Sequence, residues 1–183
     1  MVRAFFAVDV EEESVVRNIV SFQNELLRVG ANGLKPVEPE NLHITLLFLG
    51  ELNEAEVNLA AKALETIESK SFEIEFGGTG YFPGGSRINV IWVGIRSGVE
   101  ELKNIHSNLK RRLPSFRLED DKFVPHLTVC RVKFVRNKAG LLEAIAKNVP
   151  TTFGNQRVEK ISLKKSVLTS TGPVYSDLAV KKI

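Results

Sequence analysis

One stretch occurs twice in this chain of 183 residues, and it constrains the fold more than any average property does. The first copy reads Asn41-Leu42-His43-Ile44-Thr45-Leu46-Leu47-Phe48-Leu49-Gly50, the second Val124-Pro125-His126-Leu127-Thr128-Val129-Cys130-Arg131-Val132. Both are rich in aliphatic and β-branched residues and are punctuated by Gly50 or Pro125, the pattern of a strand. Successive side chains of a strand point to opposite faces, so His43 and Thr45 share one face while Ile44 and Leu46 take the other. The same alternation sets His126 and Thr128 against Leu127 and Val129. The expected product is a pair of imidazoles, each with a hydroxyl two residues on, presented opposite a packed face.

A lone His-x-Thr carries little weight. With eight Thr in the chain, a given His has Thr two places on by chance about 4% of the time, and two of three His on the order of half a percent. The third, His106, lacks the motif and falls in a helical pattern. It is expected to be a partly buried helix residue without a catalytic role.

The remaining elements follow from periodicity and punctuation. Residues 2–10 read as a strand, and residues 11–29 as an amphipathic helix with Val15, Ile19, Phe22, Leu26 and Val29 on one stripe and Gly30 as its stop. Residues 31–40 read as a loop, and Asn53 caps a helix to about residue 69. The strict alternation of Phe72-Glu73-Ile74-Glu75-Phe76 predicts a strand. The glycine-rich residues 77–85 lack the Lys-Ser/Thr ending of a P-loop and read as a linker or strand-edge loop. Residues 87–95 form a strand, 99–113 a helix, 115–124 a loop, 126–135 the second histidine strand and 137–149 a helix. Final strands are expected over 157–163, 166–170 and 175–181, the last two flanking the turn Thr171-Gly172-Pro173.

Shifting the chain by 83 positions (126 − 43) lays Phe5 on Ile88, Gly30 on Leu113 and Asn53 on Arg136. Strand, helix, loop, histidine strand, helix therefore appears twice, a repeat of architecture more than of residues. The expected fold is α+β and bilobal, with pseudo-symmetric lobes, each an antiparallel-rich sheet with two helices, and a central cleft between them. The lobes are expected at roughly 1–80 and 85–170 of one domain spanning 1–183, with a last strand at 174–182 completing the sheet.

Composition narrows the setting. At 43% hydrophobic and 26% charged residues, this is an ordinary globular composition. No apolar run approaches a membrane span, and the N-terminus reads as a strand and not as a signal peptide. A single Cys excludes an internal disulfide and suits a reducing compartment, so a cytoplasmic location is expected; separately, the chain is expected to be a monomer. The net charge of +3 permits an anionic partner, and basic residues gather late, with Arg131, Lys133 and Arg136 beside the second motif.

Two histidines without a cysteine cluster or a His-Glu-x-x-His helix do not supply the three or four ligands zinc requires, so no metal or other cofactor is expected. Cys130 is expected on the core side, as packing. Two groups titrating near neutral pH across a cleft suit paired acid–base catalysis, one taking a proton from water and the other protonating a departing oxygen. Thr45 and Thr128 can hydrogen-bond the oxygens of a tetrahedral group between them. Arg131, five residues after His126, falls on the opposite pleat of a regular strand, so a phosphate role for it would require a bulge or a neighbouring position.

The paired motifs His43-Ile44-Thr45-Leu46 and His126-Leu127-Thr128-Val129 resemble those of the two-histidine phosphoesterase superfamily. The opening Arg3-Ala4-Phe5-Phe6-Ala7-Val8 and the Pro125-His126 junction resemble its RNA 2′,3′-cyclic phosphodiesterase branch, also called 2′-5′ RNA ligases. The resemblance covers nearly the whole chain in element order. It implies metal-independent hydrolysis of a 2′,3′-cyclic phosphate, on an RNA end or a cyclic nucleotide, to a 2′-phosphomonoester. It further implies that His43 donates the proton to the leaving oxygen, that His126 accepts one from water, and that Thr45 and Thr128 hold the phosphate; the family often places an Arg after the second motif, where Arg131 stands. Alternatives are the reverse 2′-5′ joining reaction and an RNA-end-binding module without turnover.

Overall fold

The computed structural model describes residues 1–118, 122–170 and 172–183. In chain order the strands and helices among them are β1 (Val2–Asp9), α1 (Glu13–Gly30), β2 (Leu34–Pro36), β3 (His43–Leu52), α2 (Glu54–Glu65), β4 (Phe72–Gly84) and β5 (Arg87–Ser97). Then come α3 (Val99–Arg112), β6 (His126–Val132), α4 (Lys138–Lys147), β7 (Thr152–Val158), β8 (Lys160–Leu168) and β9 (Pro173–Lys182).

The helices form where apolar residues recur every three or four positions. α1 buries Val15, Ile19, Phe22 and Leu26 on one stripe, with Glu13 in its first turn and Arg28 in its last, as the helix dipole favours. Asn53 and Glu56 close a reciprocal capping box on α2, the backbone N–H of Glu56 donating to Asn53 Oδ1 at 3.0 Å and that of Asn53 to Glu56 Oε2 at 2.8 Å.

All the strands join one antiparallel sheet in the order β7-β4-β5-β6-β3-β1-β8-β9, with β2 on β6. The seam at its middle, β3 against β6, carries the single register pair Ile44↔Leu127. One face of the seam is packed: Ile44, Leu127 and Val129 have no exposed surface and Leu46 has 1%. The α+β, antiparallel, two-halved expectation holds.

The halves exchange parts between the contiguous stretches 1–80 and 85–170. β4 leaves the histidine strand of its own stretch to pair with β5 and β7, while β8 pairs with β1. α1 packs on α4, β7 and β6, and α3 packs on β3 and α2. Each half is thus built from both stretches.

Three expectations need correction. Residues 77–84 continue β4 and are not a loop; glycine there serves close packing, since a Cβ on Gly80 would overlap the Trp92 ring of β5. Residues 34–36, expected in a loop, pair with Cys130 to Val132 as β2. The strand expected over 157–163 divides between β7 and β8, and that over 166–170 is the end of β8. Gly154 and Asn155 lie within β7, where turn-forming residues masked a strand that pairs with β4.

Candidate active site

Facing residue numbers in an antiparallel ladder have a constant sum. The pair Ile44↔Leu127 therefore sets His43 across from Thr128, and Thr45 across from His126. All four side chains are half-buried on the face opposite the packed one. By that register each imidazole lies across the β3–β6 seam from the other motif's threonine, and the two histidines take diagonal positions.

Both rings are held alike. His43 Nδ1 lies 2.7 Å from the carbonyl oxygen of Asn41, and His126 Nδ1 lies 2.8 Å from that of Val124. A carbonyl only accepts, so each Nδ1 carries a proton and donates it. Each neutral ring then has its lone pair at Nε2, and each protonated ring has a donor there.

Burial pushes both histidines below their ordinary pKa. For His43 the Asn41 bond and the Asp9 carboxylate pull upward, Lys164 and Arg131 add to the depression, and burial prevails. For His126 burial prevails over the Val124 bond. Beside His43, the buried Lys164 Nζ lies 3.0 Å from Asp9 Oδ2 and 2.7 Å from Asp177 Oδ1. Burial favours neutral Lys164, but the bonds to Asp177 and Asp9 outweigh it and leave its pKa raised.

Two bulges alter what the strands present. In β6, Thr128 faces Trp92 and Cys130 faces Ile91, leaving Val129 as an extra residue. Val129 and Cys130 both turn into the core, and Arg131 follows on the imidazole face, as a phosphate role for it requires. Cys130 is packing, and the bulge makes it so: a regular strand would turn a residue four after His126 toward the imidazole face. In β3, Thr45 faces Ala7 and Leu47 faces Phe6, so Leu46 is the extra residue and Phe48 follows on the imidazole face. Phe48 and Arg131 are the same 83 positions apart as the histidines.

Aromatic rings flank the histidines, and reading the sequence did not single them out. Phe5 packs at 5.0 Å and Tyr175 edge-on at 5.1 Å from the His43 ring, while Phe82 stands edge-on at 5.0 Å from that of His126. The sequence carried one signal for them: Phe5 and Trp92, whose ring lies 6.5 Å from that of His126, stand on β1 and β5, strands that the 83-position shift lays on one another, although it sets Phe5 on Ile88. His106 donates from Nδ1 to the carbonyl of Leu46 at 2.7 Å and stacks on Phe123, away from the paired imidazoles.

The chain matches the LigT like Phosphoesterase family model twice, over residues 8–92 and 93–175. It is 40% identical to the RNA 2′,3′-cyclic phosphodiesterase of Methanothermobacter thermautotrophicus, covering 100% of this chain and 99% of that protein. It is 38% identical to the protein of the same name from Archaeoglobus fulgidus, over 97% of this chain and 98% of the other. Among solved structures, one from Thermus thermophilus superposes with a TM-score of 0.83 at 29% identity, covering 98% of this chain and 97% of the other. Escherichia coli LigT complexed with 3′-AMP shares the fold, with a TM-score of 0.78 at 21% identity over 100% of this chain and 97% of the other. A sequence that matches the family twice and carries one His-x-Thr in each match belongs to the LigT-like phosphoesterases.

Proposed function

We propose that this chain is an RNA 2′,3′-cyclic phosphodiesterase that leaves a 2′-phosphomonoester. The observation that carries the reading is the pairing of the two motif strands at Ile44↔Leu127, with each imidazole held at Nδ1 by a carbonyl and facing the other motif's threonine in register. In this reading His126 Nε2 takes a proton from water as the water oxygen bonds to phosphorus. The bond from phosphorus to O3′ breaks, and His43 Nε2–H protonates O3′. Thr45 and Thr128 donate to the non-bridging oxygens, and the Arg131 guanidinium offsets their charge.

The family model matching twice supports reading the chain as two repeats. The flanking aromatic rings and the basic residues beside the second motif suit a ligand that carries bases and phosphates. A 5′-hydroxyl in place of water would break the same bond and yield a 2′-5′ linkage, so the joining reaction shares the site.

The deciding assay supplies RNA ending in a 2′,3′-cyclic phosphate and identifies which oxygen keeps the phosphorus. A 2′-phosphate is expected. A 3′-phosphate would reverse the assigned polarity, and binding without turnover would remove the enzymatic reading.

A further inference from the structure

A residue inserted by a bulge has no partner on the strand that the bulge faces, so its backbone groups turn to other partners. In β6 that residue is Val129, and its oxygen accepts from the backbone N–H of Val37 at 2.9 Å and from Gln23 Nε2 at 2.8 Å. Gln23, on α1, is 4% exposed, and its amide nitrogen also donates to the carbonyl of Val37 at 2.8 Å. Both of its N–H groups are thereby used within the fold. In β3 the inserted residue is Leu46, and its oxygen accepts from His106 Nδ1 on α3.

These two donors are counterparts: 23 + 83 = 106, as 46 + 83 = 129. Each comes from the first helix of one repeat and reaches the histidine strand of the other. We propose that Gln23 and His106 are a crossed pair of positioning residues, each holding the inserted carbonyl in the other repeat's histidine strand and thereby setting Arg131 or Phe48 on the reacting face. A buried amide and a buried-edge imidazole then have one task in common, although they share no residue type and neither belongs to a repeated motif. His106 has a second link to the site. It stacks on Phe123 with ring centroids 4.3 Å apart, next to Val124, whose carbonyl fixes the His126 ring.

The inference rests on the proposed phosphodiesterase reading only for its activity readout. Cys130 supplies an independent one: it is the single cysteine, fully buried within the β6 bulge, and burial pushes its thiol up to about 12. Gln23→Met keeps the side chain's length and removes its N–H groups. In the folded variant, labelling of Cys130 by a disulfide reagent is expected to accelerate on the order of tenfold or more, as the loss of two buried hydrogen bonds of about 1 kcal/mol each implies. Its kcat/KM for a 2′,3′-cyclic nucleotide is expected to fall as far as in Arg131→Ala, with no further fall in the double variant. Wild-type labelling together with multiplying effects in the double variant would overturn the proposal. Should Arg131→Ala prove silent, the phosphate role of Arg131 fails, while the labelling rate still judges the positioning role of Gln23. His106 gives a second test, which stands if Gln23→Met does not fold. His106→Gln retains a donor and is expected to keep the wild-type kcat/KM, whereas His106→Leu is expected to match Phe48→Ala. Equal losses in His106→Gln and His106→Leu would overturn the assignment.

Discussion

The carbonyls of Asn41 and Val124 settle the tautomer of both catalytic candidates, and several consequences at the scale of single residues follow. Replacing either His43 or His126 with Ala removes one proton transfer. A fall in kcat of about 10²–10⁴ is expected, with an unchanged circular dichroism spectrum, and EDTA is expected to leave the wild type active. Because burial holds both free rings below 6.5, the product of one protonated and one neutral ring peaks on the acid side of that value. A bell-shaped kcat/KM profile with its maximum below 6.5 is therefore expected from initial-rate measurements. The unfolded chain takes up protons at the ordinary value and the folded rings only below it. Folding stability is thus fully present above 6.5 and declines as pH falls through that value, until the folded rings also protonate. Lys164→Met removes a cation that depresses His43 and releases Asp9, which raises it, so the pH maximum is expected to move upward. An unmoved maximum would show that the Lys164 cluster does not act on the site.

At the scale of elements, period-two alternation made the histidine strands legible, together with the faces of His43, Thr45, His126 and Thr128. It also put Arg131 on the opposite pleat of a regular strand, so that a phosphate role for it needed a bulge or a neighbouring position. It could not reveal that bulge, because the donors that hold the inserted carbonyls, Gln23 and His106, come from helices 106 and 60 residues away in sequence. β4 was cut short for a related reason. Gly77, Gly78 and Gly80 signal a turn locally, whereas Gly80 serves the Trp92 ring on the neighbouring strand, a contact invisible to local reading. Gly80→Ala is expected to push Trp92 off β4 and disturb the Phe82–His126 contact. A loss of about 1–3 kcal/mol in urea unfolding should accompany a weakened affinity for nucleotide. Unaltered tryptophan fluorescence and stability would contradict this account of the glycine.

At the scale of the whole molecule, a repeat of 83 positions was legible from the two motifs, but the exchange of α1, α3, β4 and β8 between the halves was not. Helix periodicity shows which stripe is apolar and not which sheet covers it. The exchange predicts that neither residues 1–85 nor residues 86–183 melt cooperatively when expressed alone. α1 would lack α4 and β7, and β8 would lack β1. Mixed, the two pieces are expected to recover a cooperative transition and cyclic-nucleotide hydrolysis. A stable, cooperative fold in either piece would contradict the interdependence of the halves.

The matching attachments of the two imidazoles bear on direction. Neither ring is marked as donor or acceptor by the carbonyl that holds it, so a ligand seated the opposite way round would find the same pair with duties traded. Polarity must then be written by what differs around the rings, the Lys164–Asp9 pair beside His43 alone and a guanidinium at position 131 against a phenyl ring at position 48. Whether the ribose keeps its phosphorus on one hydroxyl or the adjacent one becomes a matter of docking as well as of acid strength.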